Sequence, residues 1–331
     1  MTNTVTRAAL IGAAALGLSA GAALAEFPER NIENIFPWGP GSAMAATQII
    51  SEAMGEELGT NISVVSTPGG AGVKAFETAL KKPADGYTII DGWVAPLVLQ
   101  PQVGNAEWSH DDFIPLWSAT SVPFALVTRK DEDRWTDFPS FIQYMKDHPG
   151  ELRYSSGSIG NIPHMVLAKV MQANGVYARN IPYPQDGDAF KDLRGGLLDF
   201  SFNNPTTYDA NSDAFQALAV LSEREDIRPL FDDAPLVNSF GSDMGLSGLA
   251  PGGWHWYLVK EGTPDDVVET LRAAMKAALE RPEVQEKLIS IGFFPTMYAP
   301  EQYDEIVGTV GAQLQSAQDA IAWESGKIAG N

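Results

Sequence analysis

Two loops rich in glycine and hydroxyl residues constrain this chain more than any other feature. The first reads Phe36-Pro37-Trp38-Gly39-Pro40-Gly41-Ser42. The second reads Tyr154-Ser155-Ser156-Gly157-Ser158-Ile159-Gly160-Asn161-Ile162-Pro163-His164. Each follows a short apolar run and precedes a stretch with helical apolar spacing. Such a strand–loop–helix unit aims backbone N–H groups and the positive end of a helix dipole at whatever lies before the loop, which suits an anion. Two of these units in one chain suggest two lobes closing on a small acid.

The segments between the loops support an α/β architecture. Ile32–Phe36, Ile62–Val65 and Tyr87–Ile90 read as strands, and the helix-like stretches Ala45–Leu58 and Val73–Leu80 separate them. Gly59 stops the first helix, and Asp85-Gly86 is a turn signal. This β–α–β–α–β order argues for a parallel sheet with helices on its faces. Further strands are expected at Phe124–Val127, Leu152–Tyr154, Ile181–Tyr183, Leu198–Phe202, Ala217–Leu221 and Trp256–Val259. Helices are expected at 138–146, 165–173, 188–193, 264–280, 283–290 and 300–323. The chain would cross between lobes after Phe124–Val127 and return through the Gly-, Ser- and Pro-rich stretch 237–253. That divides it into lobe 1 (26–126 and 249–331) and lobe 2 (127–248).

The N-terminus reads as an export signal, residues 1–25. Arg7 precedes an apolar stretch, and Ala23-Leu24-Ala25 is an A-x-A cleavage site before Glu26. The expected location is therefore the periplasm. No later segment has the apolar length to cross a bilayer. The absence of cysteine excludes disulfides, thiolate metal sites and a cysteine nucleophile. The formal net charge of −20 repels nucleic acid and anionic lipid. It also repels an anionic ligand at long range, so any carboxylate site must be built locally from backbone dipoles and hydroxyls.

An ordered set of markers identifies a resemblance over nearly all of the exported part. These are Pro37–Gly41, Pro68-Gly69-Gly70-Ala71-Gly72, Ala84-Asp85-Gly86-Tyr87-Thr88, Tyr154–His164, Pro182-Tyr183, Leu193–Asp199, Leu218-Ala219-Val220 and Gly262-Thr263-Pro264. In this order they resemble the Bug (TctC-like) extracytoplasmic solute receptors of tripartite tricarboxylate transporters. The resemblance implies a two-lobe type II periplasmic binding protein, a flytrap with its ligand cleft between the lobes. It further implies a small carboxylate ligand held largely by backbone groups and waters, and delivery to membrane transporter subunits. The chain is read as a monomer without cofactor or metal. Family members often follow the first glycine loop with a Thr-Asp or similar polar pair. Here Met44 and Ala45 stand instead, which argues against a ligand amino group.

The candidate ligand residues are Trp38, Gly39, Pro40, Gly41, Ser42, Gly69, Gly70 and Trp93 in lobe 1. In lobe 2 they are Ser155, Ser156, Gly157, Ser158, Gly160, Asn161, Asn203 and Asn204. Each has a plainer reading: glycines that only turn the chain, and Ser or Asn that only cap helices. His164 reads as a hydrogen-bonded residue at a helix start, and Trp254-His255-Trp256 as strand packing. Two other functions stay open. One is a secreted hydrolase using a serine of 155–158 with His164 or His255, although Gly157-Ser158-Ile159-Gly160 is not a G-x-S-x-G elbow. The other is a sensor presenting the ligand to a signalling partner. With four histidines dispersed in sequence, a metal site would need distant pieces.

Overall fold

A computed structural model describes residues 27–157, 159–183 and 186–330, with only the backbone of Asp186. The expected leader, its cleavage site and Ser158 lie outside the described residues. Two sheets carry the fold. The first has strands β1 (Ile32–Phe36), β2 (Ile62–Ser66), β3 (Thr88–Trp93), β4 (Phe113–Val122), β10 (Gly253–Lys260) and β11 (Phe294–Pro295), in the order β11-β4-β10-β3-β1-β2. The second has β5 (Ala125–Arg129), β6 (Arg153–Ser155), β7 (Arg179–Asn180), β8 (Phe200–Asn203) and β9 (Phe215–Val220), in the order β7-β6-β8-β5-β9.

β1, β2 and β3 are parallel, as their βαβ order requires. β10 runs antiparallel to both β3 and β4, and β11 antiparallel to β4, so the sheet is mixed rather than parallel throughout. Register then fixes which ends share a rim. The C-terminal ends of β1, β2, β3 and β4 and the N-terminal end of β10 lie together. In the second sheet the C-terminal ends of β6, β8 and β9 lie with the N-terminal end of β5. The chain passes from β4 to β5 through Pro123 and Phe124 alone, so these two rims adjoin. Both glycine loops leave C-terminal strand ends and therefore border the cleft, where ligands of open α/β sheets bind.

Two elements cross the cleft besides the hinge strands. Thr206, two residues after Asn204, donates its hydroxyl to the carbonyl of Ile291 (2.7 Å). The C-terminal helix Tyr303–Ala329 packs along helix Ile162–Ala173 of the second sheet and also against the turn Ala95–Leu99 of the first. Its buried positions Val307, Val310, Leu314, Ala317 and Ala320 repeat at helical spacing. Gln102 caps one side of it, donating to Gly311 O (2.8 Å). Lys169 holds the other side through Ser316 (3.0 Å). Among the described residues no helix is long and apolar enough to cross a membrane.

The second sheet is stapled by charge at its far end. Arg134 bridges Glu132 (2.6 Å) and Asp199 (2.7 Å), and Asp199 also accepts the backbone N–H of Arg153 (2.7 Å). The hydrogen bond from Arg134 holds the Glu132 carboxyl below its ordinary range, against the opposing effect of burial. A depressed folded pKa contributes stability that is complete above the unfolded value, about 4.3 for Glu, and is lost as pH falls through the lower folded value. Urea stability of the wild type is therefore expected to drop on acidification from about pH 5 more steeply than that of Glu132→Gln. Parallel curves would remove this carboxylate from the acid response.

Candidate functional site

The first loop is built to leave donors free. Ser66 Oγ donates to Trp38 O (2.7 Å) and Thr67 N to Phe36 O (2.8 Å), which ties the loop to the end of β2. Gly41 stands at the N-cap of helix α1 (Ser42–Leu58) with an extended backbone and no side chain to cap with, and the first turn carries no acidic residue. Its carbonyl takes the Ala45 N–H (3.0 Å). The amides of the first turn thus point past exposed Pro40 and Gly41 and half-buried Gly39 with no side-chain acceptor in place. A helix end in this state attracts an anion through both its N–H groups and its dipole. Ser42 adds a half-buried hydroxyl, and Trp38 packs its ring on the core edge.

The loop after β2 lies against the first. Gly72 adopts φ 94°, and a Cβ there would stand 2.8 Å from Pro96 and 3.2 Å from Pro37, so only glycine permits this approach. Gly69 and Gly70 are exposed at its tip. Lys74 lays its stem over Gly69, and no ion pair is recorded for it among the described residues. The sequence reading missed this lysine as a cation beside the cleft rim because it falls inside an ordinary helix start.

Trp93 ends β3 but is nearly buried. One face stacks on His255 at 4.3 Å between ring centroids, and Phe293 meets it edge-on. Among the described residues its indole N–H has no partner. Beneath it His255 joins Asp91 (2.5 Å) and Thr120 (2.8 Å), and Asp91 accepts from Thr47 (2.5 Å) of α1. This hydroxyl–imidazole–carboxylate order is that of a hydrolase relay. All three groups are fully buried in the sheet, however, so no substrate reaches them.

The second loop spends most of its polar groups on itself. Ser155 Oγ accepts Gly157 N–H (3.1 Å), and Ser155 O accepts the Ser201 hydroxyl (2.7 Å). Ser156 Oγ accepts from Asn180 (3.0 Å), and Ser156 O from Asn161 (2.7 Å). Asn161 also caps helix Ile162–Ala173 by accepting His164 N–H (2.9 Å). Gly160 gives its N–H to His164 Nδ1 (3.0 Å). Neither Ser155 nor Ser156 bonds a histidine. Asn204 caps the short helix Pro205–Asp209 through Thr207 N–H (2.9 Å). Asn203 is fully buried; its Nδ2 donates to Phe202 O (2.6 Å), and among the described residues its Oδ1 has no partner.

Away from these loops the fold brings His110, Asp111 and Asp304 together, with one ligand-capable atom each within 4.8 Å of the others. Asp304 is distant from the other two in sequence. His110 is half-buried and both carboxylates are exposed.

With this geometry the chain was compared with known proteins. The model of the tripartite tricarboxylate transporter family receptor (TctC) matches residues 46–316. A Pseudomonas sp. (strain P51) protein from the tcbD-tcbE intergenic region is 29% identical over 279 residues, covering 83% of this chain and 81% of its own. The structure of the periplasmic binding protein BugD is 25% identical with a TM-score of 0.70, covering 89% of this chain and 98% of its own. A Rhodopseudomonas palustris protein with adipate superimposes with a TM-score of 0.76 at 22% identity, over 90% of this chain and 99% of its own, and so shares the fold. The BugD structure is that of a periplasmic binding protein, and both solved structures share this two-sheet fold. With a family match across most of its length, this chain belongs to the tripartite tricarboxylate transporter receptors.

Proposed function

We propose that this chain captures a small carboxylate, a di- or tricarboxylate or another organic acid, in the periplasm and delivers it to a tripartite tricarboxylate membrane transporter. The observation that carries this reading is the uncapped, acid-free N-terminus of α1 at a rim facing the second glycine loop. One carboxylate sits before Gly39, Gly41 and Ser42; the Ser155–Asn161 loop approaches from the other lobe as 127–248 closes on 26–126 and 249–331. The ligand stabilises the closed form by its differential contacts with the two lobes, and the transporter reads that form. The relative with adipate supports the chemical class. Met44 and Ala45 put no carboxylate at the start of α1, which favours a ligand without an amino group.

A thermal-shift screen of the exported chain, stripped of bound ligand, tests the reading with adipate, citrate, benzoate and glutamate. Ligand at 100 times Kd stabilises by about 2.7 kcal/mol. A hit among the plain carboxylates without one from glutamate is the expected result. Preference for amino acids would sink the specificity argument. Silence across the panel would sink the carboxylate reading.

A further inference from the structure

An imidazole ties a backbone amide of the second loop to the C-terminal helix. Gly160 donates its backbone N–H to His164 Nδ1 at 3.0 Å. A ring nitrogen that accepts an N–H carries no proton, so in neutral His164 the hydrogen sits on Nε2. That atom lies 3.3 Å from Glu324 Oε2, and the Tyr154 hydroxyl donates to the same oxygen at 2.9 Å. His164, Glu324 and Tyr154 are all buried, and among the described residues Glu324 Oε1 has no partner. A continuous path thus runs from a backbone amide of the glycine loop, across the imidazole, to a carboxylate on the helix that spans both lobes.

We propose that His164 is a positioning residue for ligand capture: it holds the Gly160 amide by its Nδ1 lone pair, with Glu324 selecting the tautomer that leaves that lone pair free. This rests on the carboxylate-receptor reading above. Gly160 has φ 77°, a left-handed conformation that glycine adopts at no steric cost, and the bond to His164 fixes the direction of its amide. The titratable groups facing the ring are Glu324 from the C-terminal helix and Tyr154 from β6. Burial, reinforced by Glu324, pushes the Tyr154 hydroxyl well above its ordinary range, so it stays a donor.

Two near-isosteres separate positioning from packing. Asparagine at 164 places an acceptor near Nδ1 but does not reach Glu324. Glutamine reaches Glu324 with its amide but leaves Gly160 without an acceptor. In the ligand-free exported chain, Gly160 amide exchange is expected to be slow in the wild type and His164→Asn, and faster by about tenfold in His164→Gln, the size of one lost hydrogen bond. Ring ¹⁵N shifts should report the Nε2–H tautomer. Adipate affinity should fall by about tenfold or more in His164→Gln and stay within a few-fold in His164→Asn. An Nδ1–H tautomer, or a His164→Gln protein with wild-type Gly160 protection, overturns the proposal. So does a His164→Gln protein that binds adipate like the wild type. If the wild type binds no carboxylate the receptor reading fails, and the exchange and tautomer measurements still decide the role of His164.

Discussion

Gly41→Asp is expected to make the protein more stable and at the same time weaken carboxylate binding by at least about 100-fold. The two effects have one cause. Gly41 is the N-cap of α1 with φ 166°, extended backbone that any residue adopts, and a Cβ added there meets no atom within 4 Å. An aspartate therefore fits without strain. Its carboxylate accepts the free amides of the first turn, gaining a few tenths of a kcal/mol over the glycine cap and about 0.3–1 kcal/mol from the dipole. It then occupies the donors that a ligand carboxylate would use and sets a second negative charge beside it. Two like charges 4 Å apart repel by about 4 kcal/mol at an effective dielectric constant near 20. The solvent-exposed rim reduces that figure, and the loss of the donors adds to it. Gly41→Asn caps without charge and should lose less affinity. Calorimetry with adipate alongside thermal unfolding checks both signs. Wild-type affinity in a stabilised Gly41→Asp protein would move the anion site away from α1.

The parts of the fold legible in the sequence were those in which local chemistry and topology agree. The first three strands, their helices and the αL stop at Gly59 follow the apolar spacing closely. The longest strand, Phe113–Val122, did not declare itself, because Pro115 lies inside it and Ser118, Thr120 and Ser121 break its apolar run. Proline is excluded from a strand only where its missing N–H is needed. Here β11 pairs with β4 only at Thr120 and Ser121, so Pro115 faces no partner strand on that side, and Arg272 takes up its carbonyl (2.8 Å). The strand expected at Ile181–Tyr183 is instead Arg179–Asn180. Ile181 still donates to Tyr154 O (2.7 Å), but Pro182 has no N–H with which to continue the ladder. The C-terminal helix reaches Ala329, beyond the expected 300–323, because its last turns are paid for by tertiary contacts such as Glu324 rather than by propensity.

The site was legible as loops and not as atoms. Glycine spacing and a following helix mark a strand–loop–helix rim, and the fold puts both such rims at the cleft. The sequence does not say which loop keeps its amides free. Asn161 and Asn204 turned out to be caps, whereas Gly41 leaves α1 uncapped, and the difference depends on three-dimensional partners such as Asn180 and His164. Nor does it show what lies under the first loop, because Thr47, Asp91, Thr120 and His255 come from four separate elements.

That buried cluster carries the other large effect. Asp91→Ala is expected to lower the unfolding free energy by about 2–4 kcal/mol, from the buried imidazole nitrogen left unsatisfied and the space left behind. Against a typical domain stability of about 5–15 kcal/mol this is a large share. The carboxylate joins His255 of β10 and Thr47 of α1, and Thr47 O in turn accepts the Tyr257 hydroxyl (3.0 Å). Deleting it strands His255 Nδ1 in the core, while the Thr47 hydroxyl keeps only its own helix carbonyl, Ala43 O (3.1 Å), and it loosens the helix whose N-terminus forms the proposed anion site. Shape alone is not the issue, and a double-mutant cycle separates the two contributions. If the loss comes from unsatisfied polar groups, adding His255→Phe to Asp91→Leu should recover part of what Asp91→Leu loses, since removing both partners costs less than orphaning one. Simple additivity in urea melts would place the loss in packing instead. Adipate binding then adds a second readout. A protein that has lost only packing in the sheet should bind normally once folded, whereas one in which α1 has come away from Asp91 should not.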